Sequence, residues 1–245
     1  MILFFYVSSC IFSVGTKVLV ATGNPGSAGR NTEIIDLEDA TFECIKPNHF
    51  PISLGAANGG LIGTTPFVCG GSSCYALEEN GEWKEDKTAT LPTRIFYSAA
   101  GSVIIDDKLI IAGGQYGKNL AAIELVAPNT KTMTLPISLP EGMSGSCIVS
   151  WDSTTFMIIG GQSDRLGLIK ETFFFNLDNN TMTNGPDLLV ARRWLACHEI
   201  DVSGEEFIIV AGGHGGQAPQ KTEVLAKSSF KDGWKYGKNF KQLSL

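Results

Sequence analysis

The sequence predicts an all-β fold assembled from repeated four-stranded antiparallel sheets. Three observations predict it. An apolar run ending in paired glycines recurs along the chain, as TPFVCGG, KLIIAGG, FMIIGG and FIIVAGG. The second glycines, Gly71, Gly114, Gly161 and Gly213, lie 43, 47 and 52 residues apart, the spacing of a supersecondary unit copied along a chain. No segment carries an apolar period of 3.6 residues, so helices are not expected.

Each unit reads in the same order. A turn leads into the apolar strand, as in DDKLIIAGG, DSTTFMIIGG and SGEEFIIVAGG. A loop and a second strand follow: TEIIDL, SCYALE, AAIELVA, ETFFFNL, KTEVLA. Next come a polar turn and a short strand with Trp83, Met133, Met182 or Trp234. A Pro-containing connection then leads to a strand with small residues, as in FYSAAGSVII and SGSCIVSW. Turn chemistry separates every pair of runs, which gives four short strands per unit. The units run over about 16–50, 51–92, 93–140, 141–188 and 189–245. The first is a degenerate copy, KVLVATG, which begins at its second strand.

Continuous apolar runs such as LIIA and FMII mark strands covered on both faces, because a half-exposed strand alternates. A unit this short cannot bury two sheet faces alone. Packing like sheets around an axis solves the problem, which is the logic of a β-propeller. The pairs Gly70/Gly71, Gly113/Gly114, Gly160/Gly161 and Gly212/Gly213 then end a buried strand where the backbone needs positive φ or close approach.

Strand, Gly-Gly, an aromatic-bearing strand (Tyr75, Phe174) and Trp83 after a turn resemble the kelch repeat. LPTRIFYSAA and VARRWLACHE resemble the linker of that repeat. The likeness covers about residues 17–240. It departs from the family where Thr22-Gly23 replaces the glycine pair and where Met133 and Met182 stand in place of Trp. It implies a kelch-type propeller of four-stranded blades. Five are visible, fewer than the family's usual six or seven, so either the ring is five-bladed with imperfect closure or the sequence is truncated.

A net charge of −6 with scattered lysines leaves no electrostatic footprint for nucleic acid. No apolar run in the body is long enough to span a membrane. The opening stretch, residues 1–15, is uncharged and largely apolar and reads as a secretory leader cleaved after Gly15, the alternative being a genuine first strand of a fragment. Its removal takes Cys10 and leaves Cys44, Cys69, Cys74, Cys147 and Cys197, an odd number. Cys69 and Cys74 flank the turn GGSS, where either a disulfide or two ordinary small residues fit. Asn179-Asn180-Thr181 is a glycosylation sequon in a polar turn.

The chemistry-bearing residues do not converge. His49, His198 and His214 fall in three different contexts, which leaves no expected metal site. Asp106-Asp107 and Glu205-Glu206 occupy tight turns, where solvated carboxylates are the ordinary occupants. AGGHGGQ lies between two strands rather than opening a helix, so it is no phosphate loop. No catalytic residue and no cofactor is expected. What remains is a loop rim on a rigid scaffold: Arg94, Gln115, Tyr116, Gln162, Asp164, Arg165, Arg192, Trp194, His214 and Gln217. Arg and aromatic residues there suit a protein partner. The expected function is a non-catalytic interaction scaffold, secreted or at the cell surface. The alternatives are an intracellular, cytoplasmic substrate-recognition fragment of a ubiquitin-ligase adaptor and a secreted carbohydrate-active enzyme.

Overall fold

The structure, a computed structural model, describes residues 10–22, 30–38, 44–45, 48–54, 57–91, 101–215 and 221–237. Among these residues five antiparallel sheets of four or five strands follow one another along the chain. The first comprises β1 (Cys10–Val14), β2 (Lys17–Ala21), β3 (Thr32–Asp36) and β4 (Cys44–Ile45). The second holds β5 (Asn58–Ile62), β6 (Thr65–Gly70), β7 (Ser73–Leu77) and β8 (Trp83–Asp86).

The third sheet runs β9 (Ser102–Ile105), β10 (Lys108–Ala112), β13 (Ile123–Val126) and β14 (Met133–Thr134). A small hairpin, β11 (Gln115–Tyr116) and β12 (Lys118–Asn119), rises between its two middle strands. The fourth holds β15 (Met143–Ser144), β16 (Cys147–Ser150), β17 (Thr155–Ser163), β18 (Gly167–Asn176) and β19 (Thr181–Asn184). The fifth holds β20 (Ala196–Val202), β21 (Glu205–Ala211), β22 (Glu223–Ala226) and β23 (Lys235–Tyr236), with a 3-10 turn at Lys227–Asp232.

One expectation needs correcting. The first unit does not begin at its second strand. Cys10–Val14 pairs with β2 from Cys10↔Ala21 to Val14↔Lys17, across a tight turn in which Gly15 takes φ +58°. These residues belong to the stretch read as a leader; residues 1–9 lie outside the described residues.

Alternation along the second strands explains their unbroken apolar character. Phe156 and Ile158 join a core shared with the third sheet, with Ile110, Ala112 and Ile123. Met157 and Ile159 point the other way, into a core with Ile208, Val210 and Leu225 of the fifth. In the same manner Leu109 and Ile111 meet Phe67 and Cys69 of the second sheet, while Val68 turns toward Leu19 and Ala21 of the first. Each central sheet is thus apolar on both faces because each face has its own partner sheet. The first strands lie side by side in chain order, β1 on β5, β5 on β9, β9 on β16 and β16 on β20. Among the described residues no comparably extensive contact joins β20 to β1, so these residues do not close a ring.

Two recurring devices hold neighbouring units in place. The Pro-containing connections dock through a buried apolar residue whose backbone N–H bonds the chain just ahead of its own third strand or, in the fourth unit, within it. Phe50 donates to Arg30, Leu91 to Ser72, Leu139 to Ala121 and Leu188 to Lys170, at 2.8–3.2 Å. The outer-strand tryptophans reach backward. Trp83 Nε1 donates to Thr32 Oγ1 of the first sheet (3.0 Å), and Trp234 Nε1 donates to the Pro186 carbonyl (2.8 Å). Met133, where the third unit lacks Trp, is half exposed.

The glycine pairs serve the next unit as well as their own strand. Gly114 N–H donates to Met143 O and Gly161 N–H to Arg192 O, both at 2.8 Å. At Gly161 φ is +110°, and a Cβ there would stand 2.2 Å from Ser146 Oγ and 2.9 Å from the Ser144 carbonyl. The residue must be glycine for residues 144–146 of its own sheet to pass this close. Among the described residues two disulfides complete the frame: Cys69–Cys74 across the β6–β7 hairpin, and Cys147–Cys197, which joins β16 to β20 and so ties the fourth sheet to the fifth.

Candidate functional site

The glycine loops and the Pro-containing connections emerge at one end of the sheets. Strand β17 runs toward that end and turns back through Asp164–Leu166 into β18. Here Asp164 accepts two hydrogen bonds from Asn119, on Oδ2 from the backbone N–H (3.0 Å) and on Oδ1 from Nδ2 (2.8 Å). Arg165 pairs with Glu141 at 3.2 Å. The hairpin of the fourth sheet is therefore fixed to the loops of the third. Tyr116 and Leu166 stand out from these loops, each about half exposed, and Gln115 is half buried at the base of its hairpin.

The densest arrangement lies where the connection into the fifth sheet passes over the fourth. Gln162 donates from Nε2 to Ser144 Oγ (3.2 Å) and accepts on Oε1 from Arg193 Nη1. The Arg193 guanidinium lies 3.9 Å from the centre of the Trp194 ring. His214 sits with its ring 5.9 Å from the indole. Its backbone exchanges two hydrogen bonds with Arg193, at 2.7 and 3.0 Å. Trp194 is 41% exposed and takes φ +56°, a conformation that costs a bulky residue free energy. Its N–H bonds the Gly145 carbonyl at 2.7 Å. Gly145 also leaves room for the indole, because a Cβ there would come within 2.9 Å of Trp194 Cδ1.

Arg192 is not part of the rim. Its side chain is fully buried, with Nη2 at 2.6 Å from Glu223 Oε1 and Nη1 donating to the carbonyls of Gly212 (3.1 Å) and Lys221 (3.0 Å). Successive side chains leave an extended segment in opposite directions, so Arg192 goes inward while Arg193 lies on the surface over Trp194. Arg94 and Gln217 lie outside the described residues. The rim residues that the structure brings together are thus Gln162, Trp194 and His214, joined by Arg193, Ser144 and Gly145. Nothing in the spacing of those last three marks them; they acquire a role when the third-to-fourth connection meets the fourth-to-fifth.

Of the two acidic pairs only Asp106-Asp107 lies in a turn; Glu205 and Glu206, expected in one, are the first two residues of β21, paired with Val202 and Asp201. Asp106 and Asp107 both take positive φ between β9 and β10, and Asp107 accepts the Gly63 N–H at 3.1 Å. Glu206 lies 3.4 Å from Lys227, which also pairs with Glu199. Among the described residues no group of three or more His, Cys, Asp or Glu could hold a metal ion, and no helix is long and apolar enough to cross a membrane.

The fold is one already seen in solved structures, among them that of YjhT. The two superpose with a TM-score of 0.68 over 90% of this chain and 80% of YjhT, at 12% identity. At that identity the likeness speaks for the arrangement of sheets alone. No family model and no curated protein matches the sequence. The end of the molecule that carries Trp194 must therefore be read from its own geometry.

Proposed function

We propose that the five sheets are blades of a kelch-type β-propeller and that the chain is a non-catalytic scaffold, secreted or displayed at the cell surface. In this reading it binds a protein partner through the loop end around Trp194. The observation that carries the reading is Trp194 itself. A large, part-exposed aromatic ring sits in a costly backbone conformation, its N–H on the Gly145 carbonyl, with the Arg193 guanidinium over its face and the His214 ring beside it. Rigid, part-exposed Trp and Arg are the side chains that dominate binding energy at protein interfaces. The polar groups beside them hold one another: Asp164 is engaged by Asn119, Glu141 by Arg165 and Gln162 by Ser144 and Arg193. Such mutual engagement suits a preformed recognition surface better than an acid–base pair awaiting substrate. Two disulfides favour an oxidising compartment.

The test is a binding screen of the purified protein against secreted proteins and receptor ectodomains, run beside Trp194→Ala and Tyr116→Ala. At least one ligand is expected whose affinity falls about thirtyfold in Trp194→Ala, the ~2 kcal/mol of an interface hot spot, while the melting curve keeps its shape. Binding that both variants preserve, or turnover of a glycan by the parent protein, would contradict the reading.

A further inference from the structure

We propose that Asn179 carries an N-linked glycan, projected from the end of the molecule opposite the recognition loops. The proposal rests on the secreted reading above and adds a modification site to it. Asn179-Asn180-Thr181 is the one Asn-X-Ser/Thr sequon of the chain. The structure places it at the tip of the hairpin between β18 and β19, with Asp178, Asn179, Asn180 and Thr181 all exposed.

The turn is built so that the asparagine amide is presented outward. Asn176 Oδ1 accepts the N–H groups of Asp178 and Asn179, both at 3.1 Å. Asn180 takes φ +52°, which turns the chain sharply. Asn179 Oδ1 then accepts from Thr181 twice, from the backbone N–H at 3.1 Å and from the hydroxyl at 2.5 Å. Both bonds fall on the carbonyl oxygen. Among the described residues Nδ2 donates to nothing, so the nitrogen that would hold a sugar faces solvent. The core beneath the hairpin, with Phe173 and Phe175, stays undisturbed by a group attached at the tip.

Direction follows from topology. Strand β18 leaves the Trp194 end at Gly167 and reaches the far end at Asn176, and β19 starts back from Thr181. A glycan on Asn179 is bulky and solvated, and this placement keeps it clear of Tyr116, Leu166 and Trp194. The bond formed joins Nδ2 to the anomeric carbon of a lipid-pyrophosphate-linked oligosaccharide. The anomeric C–O bond breaks, the lipid pyrophosphate departs with the electron pair, and one amide proton is released to the transferring enzyme.

The experiment is expression of the full chain in cultured mammalian cells, with endoglycosidase digestion of the recovered protein and, in parallel, alkylation of free thiols. A single digestible mobility shift is expected in the parent and in Thr181→Ser, and its loss in Asn179→Gln and Thr181→Ala. A parent protein without the shift, or a shift that survives Asn179→Gln, overturns the proposal. The alkylation result separates the two readings. Absence of glycan with Cys69, Cys74, Cys147 and Cys197 all oxidised removes the glycan alone. Absence of glycan with those thiols free removes the secreted assignment as well.

Discussion

Arg192 and Glu223 form an ion pair with both side chains fully buried, Nη2 and Oε1 2.6 Å apart. Glu223 also accepts the N–H groups of Leu189 (2.6 Å) and Val190 (3.3 Å), so one carboxylate fastens the whole connection into the fifth sheet. Breaking such a pair by removing one partner leaves a buried charge uncompensated, at a cost of about 3–5 kcal/mol. Glu223→Ala is expected to lower stability by that amount in urea unfolding, with the slope unchanged. A loss no greater than a surface substitution gives would show that the connection is held by other contacts.

The glycine pairs differ in what surrounds them, and the difference is measurable. Gly161 faces Ser146 and the Ser144 carbonyl, whereas a Cβ on Gly71 would meet open space, though φ is +61° there. Gly71→Ala carries only the backbone penalty, ~1–2 kcal/mol. Gly161→Val adds a steric conflict with Ser144 and Ser146 beside it in the same sheet and is expected to cost several kcal/mol more, or to prevent folding. Equal melting temperatures for the two would remove the close-approach argument.

Much of this architecture is legible in the sequence. The continuous apolar runs announced strands covered on both sides, and the glycine spacing announced units of one sheet each. What could not be read were relations between units. Cys147 and Cys197 look unrelated in the chain and meet because β16 and β20 are neighbouring first strands. Arg192 resembled a rim residue because its partner, Glu223, lies in a different strand of the fifth sheet. Residues 10–14 are uncharged and largely apolar, a pattern that suits a leader and a first strand alike, and only the pairing with β2 across Gly15 brings out the strand.

The two disulfides close loops of very different length, with sequence separations of 50 for Cys147–Cys197 and 5 for Cys69–Cys74. Chain-entropy arguments assign about 4 kcal/mol to the longer loop and about 2 kcal/mol to the shorter. The Cys147→Ser/Cys197→Ser protein is therefore expected to be the less stable of the two double variants in chemical denaturation. The reverse order would mean that the long bridge does not restrain the unfolded chain.

Acid should loosen the junctions between units. Burial pushes the Asp86 carboxyl up, but hydrogen bonds from the Thr88 hydroxyl and from the N–H groups of Asn129, Thr88 and Ala89 outweigh it and leave it below its usual value. Asp152 is likewise pushed up by burial and brought below its usual value by bonds from Thr154 and Thr155. A carboxylate depressed in the folded state contributes stability above its unfolded pKa, about 4, and loses it as pH falls through the lower folded value. The stability gap between the parent and Asp86→Asn is therefore expected to be full at neutral pH and to shrink as the pH drops below about 4. A gap that stays constant down to pH 2 would count against a charged role for Asp86.

Site-directed photo-crosslinking in cells that make the protein tests the recognition claim most directly. A photoreactive residue is placed at Tyr116 or Leu166 on the loop end, or at Met133 or Tyr236 on the outer strands, four positions of comparable exposure. The account predicts a discrete adduct of constant mass from Tyr116 or Leu166, absent when Trp194→Ala is introduced, and none from Met133 or Tyr236. Adducts from the outer-strand positions alone, or adducts indifferent to Trp194, would contradict it.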